Sequence, residues 1–132
     1  MLHAINWIAV LVAAAVAYFF GALWFMRALF GNAWLQAMGK RREDLGSPAQ
    51  AMVVTAFTTL LTAMCLAVIL KGCAIDSLAG GVAMGVVIGG GIVFATMLSD
   101  ALFQGQPTKL LWINGGHRFS STVLMCAVIG AI

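Results

Sequence analysis

The stretch "INGGHRFSSTVLMCAVIGAI", residues 113–132, places a histidine and an arginine, His117 and Arg118, inside a run long enough to cross a membrane. A helical crossing of hydrocarbon takes about 20 residues. Only 14 residues follow Arg118, too few to cross alone, so the helix must begin near Leu111. At about 1.5 Å per residue, the Arg118 Cα then sits roughly 21 Å from one end of the helix and roughly 9 Å inside the other boundary. Snorkelling of the long side chain lowers the cost of that depth without abolishing it. The two polar residues therefore need partners, and the rest of the chain is read for them.

Composition sets the broad class. The 132-residue chain is 63% hydrophobic and 8% charged, against roughly 25% charged in an ordinary soluble domain. A soluble fold of this size cannot hide that much apolar surface, so a lipid bilayer is the expected surroundings. Four apolar stretches, residues 5–30, 49–70, 78–103 and 111–132, are each long enough to span. They leave no room for a soluble domain, and residues 1–132 are expected to form a single all-α membrane domain. Short connections predict a four-helix bundle in which neighbours in sequence are neighbours in space. The apolar run from Ile8 to Ala17 resembles a signal peptide, but it lacks a cationic lead and continues past Phe20, so a retained first span is expected.

The formal charge of +3 reflects topology and does not point to nucleic acid. Arg27, Lys40, Arg41 and Arg42 lie at or in the first loop and Lys109 in the third, whereas the second carries only Lys71. Loops one and three are expected to be cytoplasmic, with both termini and the second loop outside. Glu43 and Asp44 dilute the basic run, but acidic residues weigh little in this rule. Within the loop at residues 31–48, Asn32, Ala33, Trp34, Leu35 and Met38 predict a short interfacial helix. Ser47 and Pro48 are suited to cap and start the second span. Trp7, Trp24 and Trp112 fall where an aromatic belt would sit.

The ends of the first and third spans share Ala-Leu-Phe, in "RALFGNAW" from Arg27 and "DALFQGQP" from Asp100. Both segments run the same way through the membrane, so a duplication would be a parallel two-helix repeat; chance within an apolar alphabet is the other reading. The alignment puts Arg27 and Asp100 at similar depth. Asp100 is the natural counter-charge of Arg118, with Arg27 as competing or third member, because ionisable groups within membranes pair with one another or face a wet cavity. Asn114, His117, Arg118, Ser121 and Met125 recur at helical spacing on the fourth span, and Thr96, Asp100 and Gln104 do so on the third. The expected polar intramembrane cluster is Asp100, Asn114, His117, Arg118, Arg27 and Gln104.

Small residues mark helix contacts, since lipid gives no hydrophobic drive between helices and close backbone approach must hold them together. The expected seams are Ala13, Ala17 and Gly21 on the first span and Gly81, Gly85 and Gly89 on the third. Gly90 and Gly91 are read either as part of this packing or as a break in the helix, of the kind that forms sites in transporters. Gly115 and Gly116 sit at comparable depth. Thr55, Thr58, Thr62 and Cys65 form a stripe on the second span, read as hydrogen bonding within or between helices or as a solute-facing surface.

Cys65, Cys73 and Cys126 lie toward the outer half on this topology, close enough for one disulfide, and none has metal-ligand spacing. His3 and His117 belong to opposite sides and do not jointly hold a haem. His117 either shuttles protons with Asp100 or is a neutral, bonded histidine. No nucleophile elbow, phosphate loop or zincin pattern occurs, so no enzyme, no metal and no cofactor are expected.

Asn6-Trp7, "GALWF" from Gly21, "LFGNAW" from Leu29, "ALFQGQP" from Ala101 and "LLWING" from Leu110 resemble the small bacterial membrane proteins grouped as domain of unknown function 1761. The resemblance covers nearly the whole chain and implies four spans in a bacterial cytoplasmic (inner) membrane, with no established activity. Members tend to carry tyrosine where Phe25 stands and proline shortly after, where this chain has Met26-Arg27-Ala28. Two functional classes follow. One is an oligomeric small-solute or ion transporter or channel using Asp100, His117 and Arg118. The other is a non-catalytic accessory subunit that docks on a larger membrane complex by its glycine and threonine faces. A protomer with so little interior is expected to associate with copies of itself or with such a complex.

Overall fold

A computed structural model describes residues 4–26, 29–41, 43, 46 and 48–132. Among these the chain is helical, with no strand: α1 (Trp7–Trp24), α2 (Gly31–Met38), α3 (Pro48–Gly72), α4 (Leu78–Ile88), a π-helical segment (Gly89–Phe94), α5 (Ala95–Gln104) and α6 (Thr108–Ala131). The π segment joins α4 and α5 into one continuous long helix, Leu78–Gln104.

Local chemistry sets the ends. The Asn6 side chain accepts from the Ala9 amide at 3.2 Å and starts α1. Ser77 Oγ does the same for Gly80, at 3.0 Å, at the head of α4. Pro48 is the first residue of α3, where its missing N–H costs nothing. Gly39 and Gly105 close α2 and α5 in the left-handed region, at φ 68° and 67°, a conformation that glycine adopts without steric penalty. The expected Ser47 cap lies outside the described residues, as do Arg27, Arg42 and Asp44.

The first helix is shorter than residues 5–30. It stops at Trp24, and a compact turn follows in which the Phe30 amide bonds to the Trp24 carbonyl and the Gly31 amide to that of Met26. The turn delivers α2, which buries Gly31 and Leu35 and packs on α6.

Three helices are long and apolar enough to cross a membrane: Trp7–Trp24, Pro48–Gly72 and Leu78–Gln104. α6 is of comparable length but more polar, and it is the hub: every other element packs against it. It buries Leu110, Leu111, Ile113, Gly115, Ser121, Thr122, Met125, Cys126 and Gly130. Its lower apolarity has a physical reason, since a helix surrounded by protein need not be lipid-like all round.

α1 runs antiparallel to α6, with Gly21 against His117 and Trp24 against Ile113 and Gly116. The long helix Leu78–Gln104 is also antiparallel to α6, with Gly81 beside Cys126, Gly85 beside Val123, Gly89 beside Phe119 and Phe94 beside Gly115. The apolar core gathers Val10, Ala13, Ala14 and Ala17 of α1, Ala63, Leu66, Ala67 and Leu70 of α3, and Met125 and Cys126 of α6. The expectation that sequence neighbours are packing neighbours fails for α3 and α4. They share a short turn, and each packs principally on another helix, α3 on α1 and α4 on α6.

Candidate functional site on the polar face of α6

His117 points from α6 toward α1. Its ring stacks on Phe20, with centroids 5.9 Å apart and planes at 11°, meets Phe25 edge-on at 5.1 Å and lies 6.2 Å from the Trp24 ring. Gly21 makes room for it: a β-carbon there would sit 2.9 Å from His117 Nε2. A second shell of rings braces the first, Phe30 against Trp24 at 4.6 Å and Trp34 against Phe25 at 5.2 Å. His117 Nε2 is buried without a hydrogen-bond partner, and the surroundings are aromatic. Trp24, read from sequence as part of an interfacial belt, instead donates from Nε1 to the Ile113 carbonyl at 3.0 Å. Sequence reading missed Phe20, Trp24 and Phe25 as the neighbours of His117. The signal was there in the aromatic residues flanking Gly21, four apart at 20 and 24.

An unpaired buried nitrogen in an aromatic box is an energetic liability, since removing a buried polar group of the same shape is neutral or stabilising. His117→Phe is accordingly expected to leave unfolding stability unchanged or to raise it by up to about 1 kcal/mol. A denaturing-detergent titration of the reconstituted protein measures this, and a loss of about 2 kcal/mol or more would mean that Nε2 has a partner in the membrane.

Arg118 follows His117 by one residue, about 100° around the helix, and is exposed. Asp100 on α5 is also exposed. Among the described residues no ion pair joins them. Helix register explains the separation. Phe94 is level with Gly115, so Asp100, six residues further along its antiparallel helix, is level with the start of α6 near Lys109. Arg118 lies three residues to the other side of Gly115, which gives an axial offset of about 13 Å. Asp100 and Arg118 of the expected cluster are therefore not brought together. Asn114 is partly buried, Gln104 is exposed and accepts from Gln106 Nε2 at 2.7 Å, and Arg27 lies outside the described residues.

The third long helix does not break at Gly90 and Gly91. It passes through them as a π segment, which inserts an extra residue into the helical turn. The Thr96 hydroxyl lies 2.8 Å from both the Ile92 and Val93 carbonyls and donates to oxygens that the widened turn loosens. On α3, Thr58 and Thr62 likewise donate back to their own helix, to the carbonyls of Thr55 and Thr58. These threonines are exposed nonetheless, because α3 buries only Ala63, Leu66, Ala67 and Leu70 of its second half.

Gly81, Gly85 and Gly89 lie against α6 within one chain, and Ala13 and Ala17 are buried. All three cysteines are free, Cys126 buried and the other two exposed. Among the described residues no three His, Cys, Asp or Glu side chains converge as a metal site would require.

An all-helical protein whose apolar helices suit a membrane, with a polar face on its central helix, is the class that fold and site define. The chain belongs to the family of proteins of unknown function designated DUF1761, whose profile matches residues 8–130. Comparison with curated proteins and with solved structures yields no match.

Proposed function

We propose that this is a four-crossing protein of the bacterial cytoplasmic membrane, with α6 as the fourth crossing, that handles a small polar or charged solute. In this reading the end carrying α2 faces the cytoplasm, consistent with the basic residues of the two loops there. The observation that carries the reading is the exposure of Arg118, roughly 15 Å along α6 from its start, on an apolar assembly and with no ion pair to Asp100. Charges so placed are costly in hydrocarbon and mark water, ligand or ion pathways. Copies of the chain would associate to enclose these open polar faces.

Native mass spectrometry of the protein gently extracted from its own membrane tests the assembly. A homo-oligomer supports the proposal, and a stoichiometric foreign polypeptide overturns it in favour of an accessory subunit. The glycine seam argues against the accessory reading as first framed, since Gly81, Gly85 and Gly89 are already occupied by α6. For the chemistry, Asp100→Asn, at the level of the start of α6, should lower solute or proton flux into proteoliposomes by about tenfold or more while insertion is retained, as expected when a charge at the entrance of a pathway gathers its solute. Unchanged flux would remove Asp100 from the pathway.

A further inference from the structure

The polar face of α6 suggests what approaches it. Asn114, Arg118, Ser121 and Met125 follow one another at helical spacing, and Met125 at the far end is part of the core that includes Ala63 and Leu66 of α3. One turn and more toward the α2 end, that contact with α3 is lost: Ser121 is still buried, Asn114 only partly, and Arg118 is exposed. The corresponding half of α3 is exposed as well, with no residue of 48–62 buried. Depth can be matched through α1. Tyr18, one turn from Gly21, donates to the Met52 carbonyl at 3.4 Å, and Gly21 lies against His117. Thr55 is therefore within about a turn and a half of the depth of Arg118. Gly90, one residue beyond the Gly89 that touches Phe119, is at this depth on the remaining side.

Arg118 thus stands on an open lateral face, roughly 15 Å along α6 from its start at Thr108, with no acidic partner among the described residues. The flanking helices expose apolar side chains beside and beyond this depth, Phe57 on α3, Ile92 in the π segment and Val87 on α4, at 70%, 59% and 61%. A cation on an open face flanked by exposed apolar side chains matches an amphiphile with an anionic head. We infer that this face binds an anionic phospholipid, its phosphate on the Arg118 guanidinium and its acyl chains along α3 and the π segment toward α4. A guanidinium suits the task because it is always charged and presents a fork of donors that fits phosphate oxygens. Asn114, one turn earlier on the same face of α6, is an additional polar partner for the head group. The inference shares with the proposed function only the open polar face, and it names a lipid, not the transported solute, as what Arg118 holds there.

The test is native mass spectrometry of the full chain released from nanodiscs of equal parts phosphatidylglycerol and phosphatidylcholine, on the wild type, Arg118→Gln and Arg118→Lys. The wild type should retain phosphatidylglycerol preferentially. Arg118→Gln should reduce that preference by about tenfold, the worth of a charge-assisted hydrogen bond, whereas Arg118→Lys should keep most of it. Equal preference in the wild type and Arg118→Gln overturns the inference. So does displacement of the lipid by millimolar inorganic phosphate, which would assign the site to a free anion. Should Arg118→Gln fail to fold, the lysine variant and the phosphate competition still decide. Flux that persists without lipid preference sinks this inference alone; lipid preference without flux sinks the transport reading and leaves the lipid site standing.

Discussion

Gly85→Leu is expected to cost about 3 kcal/mol of unfolding stability, the upper end of the usual range for overpacking, and to detach α4 from α6. A β-carbon at this position would lie 2.7 Å from the Val123 Cα and 3.2 Å from the Cys126 Cβ. Backbone cannot yield as a side-chain tip can, so the helices must separate. The same contact line meets the Cys126 carbonyl at Gly81 and Phe119 at Gly89, and all three positions lose their fit together. In lipid this matters more than in water, because packing is a principal attraction between helices there. Gly91→Leu is the internal control. Nothing lies within 4 Å of a β-carbon at Gly91, and its stability should stay within about 0.5 kcal/mol of wild type. Denaturing-detergent titrations of the two variants measure the contrast, and equal losses would refute the seam as the determinant.

Trp24→Ala is expected to cost about 3–5 kcal/mol, the range for removing a large aromatic from a packed site. The Trp24 ring covers Gly116, packs on Phe20 and Phe30 and approaches His117. Its Nε1 also holds the Ile113 carbonyl. Trp24→Phe separates the two contributions: it keeps most of the aromatic packing and removes the hydrogen bond, so the loss should be only about 1 kcal/mol. The Ile113 carbonyl is on the α6 turn that bears His117, and the alanine variant should therefore also broaden the His117 ring resonances in solution spectra. Equal costs for the two variants would show that the hydrogen bond, rather than the ring, secures α1 to α6.

What sequence reading captured follows from the strength of each signal. Long apolar runs specify helix existence well, and α3 and α4–α5 begin and end within two residues of the stretches read from sequence, 49–70 and 78–103. The short helix around Trp34 was legible because its apolar residues recur on one face. The end of α1 was not, since nothing in the continuing apolar composition through Phe30 signals the turn after Trp24. Packing order was also hidden. Connection length favours sequential neighbours, but it does not foresee α3 packing back on α1 while α4 packs on the later α6. The proposed Asp100 and Arg118 pair failed for a related reason: equating their depths needed the register of antiparallel helices, which Phe94 and Gly115 fix only in three dimensions. His117 attracted attention as an isolated polar group, while the aromatic rings that surround it were indistinguishable from ordinary membrane-facing residues.

The position of α6 at the hub also has a consequence in time. A chain made from its N-terminus onward can bring α1 against α3 early, but α4 and α5 have their main packing surface only on α6. Until that helix emerges, Leu78–Gln104 has its glycine seam uncovered. The interval between synthesis of Gly81 and arrival of Cys126 is thus the period in which a nascent copy is open to capture by a chaperone, a protease or the wrong neighbour.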